Sequence, residues 1–294
     1  MECVTARAAG TIRDIMRDLS RAIRMTTWAA GALALLAAVP ASAQGKLEAR
    51  YEVTLAGLPI GTGSWMVDVS DTHYLAAASG KTTGLLRVFT GGQGTSAARG
   101  TLTSAGAPLN AIYAATITTR DKSDEVRLTI NRGDVKDTRL DPPRDKDPER
   151  IPIEPAHERG ILDPMTASLL RAPEAGDPMQ PATCAHTLAI FDGRLRYDLK
   201  LAYKRVEQVK TAKGYAGPAL VCSVNFTPIA GYIPSRYAIK YIARLKDMEV
   251  WFAPIAGTRV LVPIHAQGPT PIGQVVLQAT QFVSTVVPTR ASAK

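Results

Sequence analysis

The stretch KLEARYEVTLAGLPIGTGSWMVDVS, Lys46 to Ser70, alternates apolar and polar residues over most of its length. Its apolar residues fall at every second position, both before and after a turn marked by Gly57 and Pro59. Because successive side chains of a strand point to opposite faces, this pattern predicts two half-buried β-strands joined by a tight connection.

The same alternation recurs on both sides of this stretch and decides the fold class. Short strands that follow one another closely, with polar turns between them, are typical of an antiparallel sheet with one face in solvent. We predict a mainly β fold: a single strongly curved antiparallel sheet, built as an open half-barrel or a β-spiral, with one or two short helices. The next predicted strands are Tyr74–Thr82, Thr95–Thr103, Asn110–Arg120 and Ser123–Asn131.

The middle of the chain interrupts the strands. Leu140–Gly160 is rich in proline and mixed charge and has no period, so we predict a long surface connection. Asp163 followed by Pro164 is typical of a helix start, and only about two turns fit before the next proline. Further strands and one irregular helix are predicted beyond it, and Pro263 makes its strand an edge or bulged strand.

The segment FDGRLRYDL, Phe191–Leu199, allows two interpretations. Asp-Gly between strand patterns is a strong hairpin signal, which makes the flanking charges the solvated face of a strand. The alternative is a charged site. We favour the hairpin, and we keep Arg194, Arg196, Lys200 and Lys204 as candidate contacts for an anionic group.

The N-terminal segment predicts export. Arg21 and Arg24 precede the apolar run WAAGALALLAAV, and the small residues ASA follow it. A basic segment, about a dozen apolar residues and small residues at −3 and −1 are typical of a cleavable signal peptide. A membrane anchor is the alternative, but a spanning helix needs about 20 apolar residues. We expect cleavage after Ala43 and a periplasmic location.

Residues 44–294 are then expected to form a single domain of about 250 residues, which is ordinary for an all-β protein. Residues 1–43 take no part in it, and Met16 or Met25 is an alternative start of translation. The whole chain has a net charge of +9. The basic excess that remains without residues 1–43 suits anionic glycans or lipid headgroups, and equally suits plain solubility. With no basic cluster interleaved with aromatic residues, nucleic acid is not an expected partner. No membrane span is expected after cleavage.

Two cysteines, Cys184 and Cys222, remain in the mature chain. In an oxidising compartment they predict one disulfide, worth about 4 kcal/mol for a loop of this size. No metal site, cofactor or catalytic residue is predicted, because the four histidines are scattered and no G-x-S-x-G turn is present.

A set of segments resembles a known family. YEVTLAGLPIGTGSWMVDV, ILDPMTASLL, FDGRLRYDL and EVWFAP, in this order, are similar to DUF3108, a family of exported Gram-negative proteins. The resemblance runs from about Tyr51 to about Val283. It implies a periplasmic, β-rich protein with a curved antiparallel sheet, and it carries no catalytic residues to transfer.

These observations predict a non-enzymatic envelope protein that binds an apolar or amphipathic component, such as a lipid. An adaptor that binds an envelope protein through a sheet edge is the alternative. An envelope hydrolase is the third hypothesis. The candidate apolar ligand face consists of Trp65, Leu85, Leu86, Phe89, Trp251 and Phe252.

Overall fold

The computed structural model describes residues 43–84, 91–103 and 106–288. Within these ranges the chain is mainly β-strand, with two short α-helices and two 3-10 helices. The strands of the first half are β1 (Ala43–Leu55), β2 (Leu58–Val69), β3 (His73–Thr82), β4 (Gln93–Leu102), β5 (Pro108–Thr118), β6 (Ser123–Asn131) and β7 (Asp134–Asp141). Those of the second half are β8 (Leu170–Arg171), β9 (Thr187–Phe191), β10 (Arg196–Lys210), β11 (Ala216–Ala230), β12 (Met248–Pro254), β13 (Val260–Thr270) and β14 (Gly273–Pro288). The helices are η1 (Pro155–Glu158), α1 (Pro164–Ala167), η2 (Pro181–Cys184) and α2 (Tyr237–Arg244).

All these strands belong to one antiparallel sheet in the order β7-β6-β5-β4-β3-β2-β1-β14-β13-β12-β11-β10-β9, with β8 paired to β13. From β1 to β7 and from β9 to β14, strands that follow one another along the chain are neighbours in the sheet. The pairing of β1 with β14 brings these two halves together. Within the described residues β7 and β9 end the sheet and are not paired to each other. The predicted fold class, a single open antiparallel sheet with few helices, is confirmed.

The alternating residues of β1 and β2 that point inward form part of the first core cluster. Leu47, Ala49 and Tyr51 are buried, whereas Lys46, Glu48 and Arg50 on the other face are exposed. The Tyr51 hydroxyl donates to the carbonyl of Pro263 across 2.7 Å. A register shift interrupts the β12–β13 ladder next to Pro263, as the proline predicts. A bulge of this kind leaves backbone groups unpaired, so the Pro263 carbonyl can accept from Tyr51.

The sheet bends until its two end strands approach each other. Asp192 accepts hydrogen bonds from the amides of Arg194 and Leu195, at 2.8 and 2.7 Å, and so forms the turn of the predicted β9–β10 hairpin. Gly193 has a φ of +94°, and a Cβ there would lie 2.6 Å from Val126 of β6. The turn therefore packs directly on the opposite end of the sheet.

The connection between β7 and β9 fills the remaining space. The amide of Ile161 donates to Gly133 in the β6–β7 turn, and Leu162 bridges Ile190 of β9. Helix α1 follows and contacts β3, β4, β5 and β9. The chain therefore covers the inner face of its own sheet.

A second core cluster lies on the other face of β11, β12 and β13. It contains Leu220, Val250 and Leu261 and is covered by the segment that runs from α1 to β9. The Cys184–Cys222 disulfide lies in this cluster, and both residues are fully buried. The bond joins the covering segment to β11.

In the part of the chain that the structure describes, no helix is both long enough and apolar enough to span a bilayer.

Candidate functional site

The structure separates the residues predicted to form an apolar ligand face. Trp65 of β2 and Trp251 of β12 belong to the same core cluster and are 7% and 6% exposed. Phe252 lies on the opposite face of β12, in the cluster that holds the disulfide. Leu85, Leu86 and Phe89 lie outside the described residues. Trp65 and Trp251 are therefore the two predicted members that share one interior.

Trp65 sits in a row of paired residues that crosses five strands. Phe282 of β14 pairs with Ala49, Ala49 with Trp65, Trp65 with Ala78, and Ala78 with Ser96 of β4. Directly paired residues point to the same face of a sheet, so these five side chains share the core face, and we call them the inner row. Both neighbours of Trp65 in the row are alanines, whose short side chains project less far from the sheet than the indole does.

Two elements cover the ends of the inner row. At one end the tip of the β10–β11 hairpin lies on β14: the Phe282 amide donates to Lys213 at 2.9 Å, and the Lys213 amide donates to Thr280 at 3.2 Å. The Tyr215 ring meets the Phe282 ring edge-on at 5.4 Å. At the other end Met165 of α1 accepts a hydrogen bond from Ser96 at 3.2 Å.

The two tryptophans differ in how their indole N–H groups are satisfied. Trp251 donates to Glu207 at 2.7 Å. The Trp65 N–H is buried and finds no hydrogen-bond partner among the residues that the structure describes. A buried donor without an acceptor costs about 1–3 kcal/mol, which makes Trp65 an unusual core residue.

A charged network surrounds Trp251. Arg205 bonds Glu207 and reaches both carboxylate oxygens of Glu249, at 3.1 and 3.2 Å, while its guanidinium lies 5.4 Å from the Trp251 ring. Lys204 also bonds Glu249, which is buried on β12. Two cations and two carboxylates balance within this network. It links β10 to β12 across the intervening strand β11.

The network also fixes the ionisation of its acids. The hydrogen bond from Arg205 lowers the pKa of Glu249, and those from Trp251 and then Arg205 lower the pKa of Glu207. Both stay ionised at neutral pH, so neither serves as a general acid there. A register shift between Tyr203 and Arg205 brings Lys204 and its neighbour Arg205 to the same carboxylate, and no sequence pattern signals it.

Three of the four predicted anion contacts already have acidic partners. Arg194 lies 2.8 Å from Asp124, Arg196 lies 2.6 Å from Asp198, and Lys204 bonds Glu249. Lys200 is exposed, and no acidic partner is found for it within the described ranges. The four do not form one free basic patch.

Asp163 is a second buried acid, besides Glu249. It is fully buried at the start of α1 and accepts hydrogen bonds from the amides of Met165 and Thr166, at 3.0 and 2.9 Å, and from the Thr166 hydroxyl. The Thr166 hydroxyl lies 2.6 Å from the Tyr74 hydroxyl. Burial raises the pKa of Asp163, against the opposing effect of these hydrogen bonds.

Beside Asp163 is a cavity of about 10 Å³, lined in part by Asn110, Ile130 and Ile161. Such a volume holds about one water molecule. Among the described residues, no cluster of three or more histidine, cysteine or acidic side chains is placed to hold a metal ion. Over the described ranges the arrangement is a closed core in which the N–H of Trp65 lacks an acceptor.

Comparison with known proteins gives a family match. The family described as "Protein of unknown function (DUF3108)" matches residues 50–280. No curated protein matches the chain.

Two solved structures are similar in part. The chain is 6% identical to a beta-barrel-like protein of DUF1849 from Brucella abortus, with a TM-score of 0.46, over 84% of this chain and 100% of that one. It is 11% identical to a putative lipoprotein from Parabacteroides distasonis, with a TM-score of 0.31, over 81% of this chain and 94% of that one.

Proposed function

The chain belongs to the DUF3108 family, and from that premise we propose that it is an exported protein that binds an apolar or amphipathic component of the cell envelope. In this proposal the signal peptide is removed after Ala43, residues 44–294 act in the periplasm as one domain, and the role is binding and not catalysis. The buried disulfide is consistent with an oxidising compartment.

The observation that carries the proposal is the unsatisfied N–H of Trp65. This donor lies on the inner row between two alanines, and the indole is 7% exposed. An ester or carboxyl oxygen of an amphiphile would accept from it, and acyl carbons would pack on the apolar residues of the row. Binding would then remove a cost of about 1–3 kcal/mol that the free protein carries.

Entry requires the core to open, because the described residues are closely packed. The tip of the β10–β11 hairpin is the simplest route, since two backbone hydrogen bonds and one ring contact hold it on β14. Lifting the tip would uncover Phe282, which is connected to Trp65 through Ala49 along the inner row. Lys200 remains the predicted cation that is free to meet an anionic headgroup.

The test is native mass spectrometry of the protein as the producing cell processes it, followed by organic extraction. We expect a bound species of lipid mass, and displacement of that species by a fluorescent fatty acid. Protein that carries no such mass and binds no fatty-acid probe contradicts the proposal.

Trp65→Phe is the specific variant, because it removes the donor and keeps an aromatic core residue. We expect it to lose probe affinity at least several-fold while the free energy of unfolding stays equal or rises. Trp251→Phe is the matched control: it also removes an indole, but one whose N–H is already satisfied by Glu207. Equal loss of probe binding in both variants contradicts a specific role for Trp65.

The filled core favours a second candidate function, an adaptor that binds an envelope protein through a sheet edge. The β7 strand is an end strand of the sheet, but its residues Lys136, Asp137 and Arg139 carry charges of the kind that discourage strand addition. At the other end, Leu162 bridges β9 and covers that edge in part. A protein mass in place of a lipid mass in the same experiment supports the adaptor.

A further inference from the structure

Helix α2 lies outside the core of the protein. It connects β11 to β12 and contacts β11, yet none of its residues is buried, and Tyr237 is 67% exposed. Its N-cap residue, Arg236, makes no side-chain capping bond. An isolated helix of this length is marginal in water, so a partner that covers one of its faces would stabilise it.

The start of this segment is fixed to the rest of the molecule. The Gly231 amide donates to Ile151, the Ile151 amide donates to Tyr232, and Arg150 donates to the Gly231 carbonyl. Ser235 bonds Glu149 on the same connection. The helix is therefore presented from a rigid base.

The charges of the segment have one sign. No acidic residue occurs from Gly231 to Lys246. Within the structurally described part of the chain, none of its four cations has an ion-pair partner. These cations are Arg236, Lys240, Arg244 and Lys246.

An aromatic pair accompanies the cations. Tyr237 and Tyr241 are one helical turn apart and stack with ring centres 5.9 Å apart. Lys240 and Arg244 are likewise four residues apart, so they form a parallel row on the helix. Ile242 adds apolar surface and is 37% exposed. Tyrosine is enriched at membrane interfaces, where its ring and its hydroxyl meet different surroundings.

We propose that α2 is a docking surface for an anionic lipid bilayer. The helix lies along the surface, the tyrosine pair enters the headgroup region and the four cations meet lipid phosphates. Charge complementarity favours a bilayer as the partner. The four cations are carried on flexible side chains, and no acidic residue lies between Gly231 and Lys246, which suits a surface with many mobile anions. The proposal does not depend on the ligand at Trp65, because α2 is surface-exposed and the inner row is internal.

The test is co-sedimentation of the protein, as the cell processes it, with vesicles of phosphatidylcholine alone or with a third of phosphatidylglycerol. We expect binding to the anionic vesicles only, weakened by salt. Lys240→Gln with Arg244→Gln should reduce the affinity roughly twenty-five-fold, since each cation near an anionic surface contributes about fivefold. Tyr237→Ala should reduce it further without changing stability, because the side chain is mostly exposed.

The matched control is Lys81→Gln with Lys122→Gln, which removes the same charge from exposed positions elsewhere. A loss of vesicle affinity that is confined to the α2 variant supports the docking surface. The proposal is overturned if both pairs of substitutions lower the affinity equally, if the α2 variant binds as wild type does, or if wild type binds neutral vesicles equally well. An acidic protein that co-purifies with wild type and not with the α2 variant, without vesicle binding, assigns the helix to a protein partner instead. Fatty-acid binding at Trp65 should be unchanged in the α2 variant, so the two proposals fail separately.

Discussion

The indole N–H of Trp251 donates to Glu207 across 2.7 Å and links the core to the charged network of β10 and β12. Glu207 is half-exposed, whereas the ring it serves is buried. Trp251 therefore has an acceptor for its N–H, which Trp65 lacks among the described residues. A substitution of Glu207 tests how much this hydrogen bond contributes to stability.

We expect Glu207→Ala to lower the free energy of unfolding by about 1–2 kcal/mol, because it leaves a second buried indole donor without an acceptor. Chemical denaturation measures the change. Glu207→Gln is the control, since its amide oxygen still accepts from Trp251, and it should cost less than half as much. Equal losses would show that the charge next to Arg205, and not the indole bond, carries the effect.

The burial of Asp163 predicts an unusual dependence on pH. Its pKa is raised in the folded protein by burial, so the folded state takes up this proton at a higher pH than the unfolded state. Its contribution to the free energy of unfolding therefore grows as the pH falls through the folded pKa towards the ordinary aspartate range. Burial also raises the pKa of Asp192, which adds a change of the same sign.

Asp163→Asn tests this assignment, because the amide oxygen still caps α1 but does not titrate. We expect a flatter stability profile than wild type between neutral pH and the ordinary aspartate range, measured by denaturation at each pH. Asp163→Ala also loses the titration, and loss of the cap should make it about 1–2 kcal/mol less stable than the Asn variant at every pH. Glu249, whose pKa is lowered, acts in the opposite direction at lower pH. A wild-type profile in the Asn variant would contradict a titrating Asp163.

The disulfide is expected to stabilise the fold from outside the first core cluster. Cys184 and Cys222 are separated by 38 positions, and closing such a loop restricts the unfolded chain by about 4 kcal/mol. Cys184→Ser with Cys222→Ser should lower the melting temperature well beyond experimental error. Reductant should destabilise wild type and leave the variant unchanged. Unchanged melting of the variant would show that the bond is not needed for stability.

Period-2 alternation makes most of the sheet predictable from sequence. Leu47, Ala49 and Tyr51 point inward as their positions require, and Asp163 and Pro164 begin a helix. Strand β7 is not predictable in this way, because its Lys136, Asp137 and Arg139 suit an edge and leave no apolar face to detect.

The site is less predictable than the sheet. Adjacent residues of a strand face opposite sides, so Trp251 and Phe252 cannot line one surface, although their proximity in sequence suggests a cluster. The Arg205–Glu249 pair depends on a register shift, and the unsatisfied N–H of Trp65 depends on what packs above it. Such features arise from contacts distant in sequence, which local patterns do not contain.

The hairpin tip on β14 gives a last prediction. Gly214 has a φ of +103°, and a Cβ at this position would lie 2.2 Å from the Phe282 carbonyl oxygen. Gly214→Ala should therefore push the tip away from β14 in addition to straining its own backbone. Gly57→Ala is a matched control, because Gly57 has a φ of +81° and no atom within 4 Å of an added Cβ.

We expect the Gly214 variant to be destabilised more than the Gly57 variant. The Phe282 amide, which donates to Lys213, should exchange its hydrogen faster in the Gly214 variant alone. Equal exchange at Phe282 in both variants would mean that the tip does not depend on this close approach, and the route of entry to the inner row would have to lie elsewhere.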